Sequence, residues 1–95
     1  MEVTIREPEN KTYKSDFYSL NPQEHEIMYR EVARDLEEIG IDTGKKLTKP
    51  NGESIIIEKI DYFPQTHSMI IVAEGQDLGA RTIIDLVKNG TLIIS

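Results

Sequence analysis

His25 and His67 are the only side chains in this sequence whose ordinary titration range reaches neutral pH, so acid-base or metal chemistry would have to start from them. Neither is built into a ligand pattern. His25 precedes Met28 and Tyr29 rather than a second ligand at helical spacing, so a zinc site would need distant carboxylates to converge on one imidazole. His25 falls in the first turn of an expected helix and His67 on an expected hairpin reversal, and both positions favour solvated side chains. Ser15, Ser19, Ser54, Ser68 and Ser95 lack a G-x-S-x-G context, and no pattern sets one beside a histidine and an acid. The chain has no cysteine, which removes thiolate nucleophiles, disulfides and cysteine-based zinc sites. Carboxylates are plentiful, yet paired acids do proton-transfer work only in a cleft that separates their affinities, and nothing marks one. Gly75-x-x-x-Gly79 lacks the lysine and hydroxyl residue of a phosphate cradle and contains Asp77. These absences predict a protein that is not an enzyme, with no catalytic, cofactor-binding or metal-binding residues.

Charge offers more. Seventeen acidic and eleven basic side chains give a net charge of −6, which disfavours nonspecific attraction to nucleic-acid phosphates or anionic lipid and favours a protein partner with a basic surface. The surplus is local. Glu24, Glu26, Glu31, Asp35, Glu37, Glu38 and Asp42 fall between Gln23 and Asp42, opposed only by Arg30 and Arg34. With the apolar stripe of that segment buried, Glu24, Glu31, Asp35, Glu38 and Asp42 are expected to point outward. They form the candidate partner-binding surface, able to enter a basic groove with fast electrostatic capture. Lys45, Lys46 and Lys49 cluster beside a hairpin, where lysines ordinarily protect an edge strand from pairing. With Arg81 and Lys88 they define an alternative, nucleic-acid-binding reading that the net charge opposes.

The elements that must position these residues follow from periodicity. Met1 to Arg6 alternates Val3 and Ile5 with polar neighbours, the pattern of a short edge strand, and Lys11 to Leu20 reads as a connector lying across the core. Asn21-Pro22-Gln23-Glu24 is a helix start with a cap, a first-turn proline and a reciprocal acid. Met28, Val32, Leu36 and Ile39 then form an apolar stripe, and Gly40 supplies a left-handed stop. From Lys45 onward the chain reads as strands: Lys45–Thr48, a Pro-Asn-Gly turn, a long central strand from Glu53 to Phe63, and a return from Ser68 to Glu74. Simple alternation in the long strand sets Ile56, Ile60 and Tyr62 on one side and Ile55 and Ile57 on the other. Gly75 to Gly79 reads as a loop, Ala80 to Ile83 as a strand, Thr82 to Asp85 as a capping box opening one helical turn, and Thr91 to Ile94 as a last strand.

This order of elements, over about the last fifty residues, resembles that of an SH3-like barrel. No diagnostic motif accompanies the resemblance. It implies an α+β fold in which a small, curled, antiparallel β-barrel of about five short strands carries one amphipathic N-terminal helix. A two-layer α/β sandwich with an antiparallel sheet accounts for the same pattern. Ninety-five residues with 38% apolar content suit one domain, comprising strand and connector (1–20), acidic helix (21–40) and β-rich barrel (44–95). No segment approaches the roughly 18 apolar residues of a membrane span, and the start lacks the pattern of a signal peptide, so a cytoplasmic location is expected. In size and acidity the chain resembles small proteins of phages and mobile elements that inhibit a host factor. The functional expectation is therefore a protein-binding or regulatory protein acting by steric or electrostatic blocking. The alternative is a structural or assembly module that self-associates as a homodimer through an open sheet edge.

Overall fold

The segment SIIIEKIDYF is dense in β-branched and aromatic residues, which favour a pleated strand, and it forms the longest strand of the protein. The computed structural model describes residues 1–6, 12–16, 27–63, 66 and 68–95, and for 12–16 and 27–29 the backbone only. In chain order the elements are β1 (Glu2–Arg6), β2 (Thr12–Asp16), α1 (Ile27–Glu38), β3 (Lys46–Thr48), β4 (Ser54–Phe63), β5 (Ser68–Ala73), β6 (Gln76–Gly79), α2 (Ala80–Lys88) and β7 (Ile93–Ile94).

An uninterrupted pleat would divide the isoleucines of β4 between two faces. Instead the register against β5 shifts between Ile57 and Lys59, so Glu58 is an inserted residue and the alternation restarts beyond it. Ile55, Ile57, Ile60 and Tyr62 consequently all face the core, while Ile56 is 45% exposed. This corrects the simple two-sided assignment. The first half of β4 pairs with β3, and the second half pairs antiparallel with β5 and parallel with β1. β1 is therefore an interior strand, not an edge, because β2 pairs along its other side; the segment read as a connector contributes that strand.

The sheet does not close into a barrel. β7 returns to β3, with Leu47 opposite Ile94, but among the described residues β6 pairs with β5 alone. The architecture is a small α+β fold with a mostly antiparallel sheet and two helices, which fits the two-layer alternative. Closure fails because β6 is short and runs straight into α2: Gly79 ends the strand with extended backbone angles and serves as the helix N-cap. The strand therefore lies four residues earlier than expected, at Gln76–Gly79, and Ala80 to Ile83 are helical. Thr82 and Asp85 sit inside α2 rather than capping it. A two-residue turn, Glu74-Gly75, joins β5 to β6 with positive φ at both positions, 45° and 79°. Glycine accepts that conformation freely; glutamate does so at a cost of about 1 kcal/mol.

α1 ends as its sequence predicts. Gly40 has φ 88°, its amide donates to the Glu37 carbonyl at 3.1 Å, and the Ile41 amide reaches the Leu36 carbonyl at 2.9 Å. That pair of bonds is a Schellman stop, with Leu36 and Ile41 both buried across it. The expected helix start at Asn21, and the Met28 side chain, lie outside the described residues. Val32, Ala33 and Leu36 of α1 join Ala80, Ile83 and Ile84 of α2 and the inner faces of β1, β3, β4 and β5 in one continuous core.

The bulge makes a direct prediction. Ile57→Ala and Ile60→Ala should each destabilise the protein by about 2–5 kcal/mol, as fully buried truncations do, whereas Ile56→Ala should cost within about 0.5 kcal/mol. Urea denaturation of the three variants reads the difference; a loss at only one of Ile57 and Ile60 would mean that β4 keeps its simple alternation.

Candidate functional site

The exposed side of α1 begins from the helical repeat: with Val32, Ala33 and Leu36 inward, Glu31 and Glu38 lie on the opposite face, two turns or about 10 Å apart along the axis. Asp42, just past the helix, is exposed and accepts a hydrogen bond from the Thr43 amide at 2.8 Å. Asp35 is not part of this display. It is half-buried between the helices, with Oδ2 3.5 Å from Nη1 of Arg81. Glu24 lies outside the described residues, as do His25 and His67. Arg34 is exposed and shares the face of Glu31 and Glu38, three residues from one and four from the other. The surface is therefore a mixed one with an acidic excess, not a uniform acidic stripe.

The five cations of the nucleic-acid reading are likewise divided. Arg81 is held by Asp35, and Lys49 Nζ lies 3.8 Å from Glu53 Oε2. Lys45 and Lys46 are exposed at the start of β3, and Lys88 is exposed at the end of α2. No basic surface of interleaved aromatic residues is assembled from them.

Sequence reasoning missed two polar arrangements. Asp61 is 3% exposed, the one buried polar residue among those described. It stands on the outer face of β4, opposite Thr4 on β1 and Ile70 on β5, with Lys59 and Phe63 two residues to either side. Its Oδ2 lies 3.4 Å from Arg6 Nε and 3.6 Å from Lys59 Nζ. Arg6 Nε makes no hydrogen bond despite that distance, and neither does Asp61 Oδ1, so the attraction is coulombic rather than directed. Two nearby cations offset the desolvation of the carboxylate and help tie β1 to β4. The second arrangement caps a strand edge. Where β5 ends, the Ile56 amide of β4 donates to Glu74 Oε2 at 2.7 Å, and the Gly75 amide donates to Glu58 Oε2 at 3.4 Å. A charge-assisted bond of this kind offsets the cost of the left-handed Glu74.

The failure of the sheet to close leaves a groove of about 350 Å³. One wall is β6, Gln76 to Gly79; the other is Leu47, Lys49 and Ile55 of the β3–β4 hairpin. Thr82, Ile83 and Leu86 of α2 and Leu92 complete the lining. The lining is mainly apolar. Among the described residues no paired carboxylates converge there, and no three of His, Cys, Asp and Glu are grouped to hold a metal. The groove can exclude water from an apolar side chain; its described residues assemble no general acid, base or nucleophile. No signal short of the β6–α2 junction could have revealed it. No helix among the described residues is long and apolar enough to cross a membrane.

Comparison with known proteins finds no family model, no curated protein and no solved structure that matches this chain.

Replacing Asp61 with asparagine keeps its shape and removes its charge, leaving Arg6 and Lys59 facing each other across a neutral amide. Both cations are partly solvated, so D61N should cost about 1–3 kcal/mol, below the range for a fully buried pair. A guanidinium-chloride midpoint identical to that of the unaltered protein would show that the cluster does not stabilise the sheet.

Proposed function

We propose that this chain is a small, non-enzymatic protein-binding or regulatory protein that meets a basic partner surface through the acidic side of α1 and the turn after it. The observation that carries the reading is the separation of the acids into two roles. Asp35 and Asp61 are occupied by Arg81, Arg6 and Lys59, whereas Glu31, Glu38 and Asp42 are exposed and enter no ion pair among the described residues. Acids held in internal pairs serve the fold; exposed ones are available to steer an encounter and to set its orientation. Glu24 belongs to the same proposed surface by its sequence position. A chain this small acts on its partner by occupying a surface, and steric or electrostatic blocking, as by a phage- or mobile-element-type inhibitor, is the effect it would have. Within this reading the β3-to-β7 portion is an SH3-like variant. Support comes from β4 divided between β3 and β5, and from a helix that precedes the return of β7 to β3.

Self-association is a second reading with its own observation. Ile93 is 62% exposed and Ile56 45% exposed, and both lie on the outer face of the strands flanking β3. Their exposure beside the short edge strand β7 suits a homodimeric contact. If that contact exists, Ile93→Lys should convert a dimer to a monomer in size-exclusion chromatography with light scattering; a monomer before substitution removes this reading.

The acidic-surface reading is tested by pull-down from lysate followed by salt titration of the captured partner. Asp35 is left intact because it holds Arg81, and asparagine at position 42 retains the acceptor for Thr43. The triple variant Glu31→Gln, Glu38→Gln, Asp42→Asn should lower partner affinity by about tenfold or more and flatten its dependence on salt. Unchanged affinity would falsify the assignment of the partner surface to α1.

A further inference from the structure

Four consecutive residues of β6 border the groove. Because side chains of a strand alternate between its faces, a cavity that touches four in a row runs along the strand's edge, not over one face. Ala73 and Gln76 flank the two-residue turn and close it as a hydrogen-bonded pair, and the next such pair is Ile71 with Leu78. The amide and carbonyl of Asp77 therefore point away from β5, into the groove. Among the described residues nothing pairs with that edge. Facing it are apolar side chains of Leu47, Ile55 and Ile83. An edge with open ladder positions beside an apolar slot is the geometry by which an extended peptide is added as a strand, with alternate side chains taken up by the slot.

The charges at the mouth select the kind of peptide. Lys49 is neutralised by Glu53. Asp77 on β6 and Asp85, three residues beyond Thr82 on α2, are exposed and enter no ion pair among the described residues. The unbalanced charge beside the groove is thus negative.

We propose that this groove docks an extended segment of a protein partner as an added strand on β6, with an apolar side chain in the slot and a lysine or arginine beside Asp77. It goes beyond the acidic-helix reading and does not depend on it, since no residue of α1 or Asp42 lines the groove.

The test uses the full chain, isotopically labelled, titrated with a short capped peptide alternating valine and lysine and with a control alternating valine and glutamate. Amide shifts should centre on Gln76–Gly79 and Thr82, and the lysine peptide should bind about tenfold or more tighter than the glutamate control. Thr82 and Asp77 are both exposed, so Thr82→Arg, which fills the groove, and Asp77→Lys, which reverses its charge, should each retain the folded spectrum. Each should weaken lysine-peptide binding by about tenfold. The triple variant of the α1 surface should bind this peptide as the unaltered chain does, which separates failure of one reading from failure of the other. Shifts centred elsewhere, equal affinity for both peptides, or indifference to both groove substitutions would overturn the proposal. So would a dimer dispersed by Thr82→Arg, which would make a second copy the occupant. Tighter uptake of a neutral alkyl probe than of the peptide would overturn it as well, in favour of a small apolar ligand.

Discussion

The inserted residue in β4 is the constraint on which the rest of the structure depends. By restarting the alternation after Glu58, it brings Ile55, Ile57, Ile60 and Tyr62 to one side of a single strand that two halves of the sheet share. Without it, half of those side chains would face solvent, because a shift of one residue moves every following side chain to the opposite face. The bend that accompanies a bulge also lets the first half of β4 serve β3 while the second serves β5 and β1. Glu58 itself is not idle. Its carboxylate receives the Gly75 amide, and Glu74 receives the Ile56 amide, so two backbone donors beside the irregular point of the sheet are satisfied by acids.

Electrostatics divides the acidic residues by depth. Asp61 and Asp35 are withdrawn from solvent to different degrees, and each faces arginine or lysine on another strand or helix. They join β1 to β4 and α1 to α2. The remaining acids of α1 stay at the surface, where water and salt screen them and where each adds little to stability. In the proposed reading their consequence lies in encounter rates and partner choice. The same logic separates the lysines: Lys49 is spent in a local pair with Glu53, while Lys45 and Lys46 stand at the exposed start of β3.

The groove comes from a competition between sheet and helix for the same residues. β6 gains its ladder from β5, but the helix that begins at Ala80 buries Ala80, Ile83 and Ile84 in the core and so draws the chain off the sheet after four residues. Burying those three side chains outweighs the few hydrogen bonds that a longer strand would add, since each such bond is worth about 1 kcal/mol net. The edge left open is short, which limits uncontrolled pairing between copies. It nevertheless lies beside apolar side chains, unlike the twisted or lysine-guarded edges that proteins usually expose.

The sequence alone determined the elements whose signals are local. The stripe of Val32 and Leu36, the stop at Gly40, the Pro-Asn-Gly turn, and the strands around Ile55 to Ile60 and Met69 to Ala73 each depend on neighbours a few residues away. So does the acidic excess of the helix segment. Tertiary structure decided whatever depends on a partner distant in the chain. Thr12–Asp16 and Gln76–Gly79 have weak strand signals and become strands because β1 and β5 present matching ladders. Glu58 becomes a bulge because β5 pairs on both sides of it, Asp35 turns inward because Arg81 arrives from α2, and Asp61 is buried because β1 and β5 flank it. The groove exists only where β6, α2 and the β3–β4 hairpin meet. Pairing across long separations creates environments that no window of adjacent residues contains, and the groove and the Asp61 cluster are of that kind.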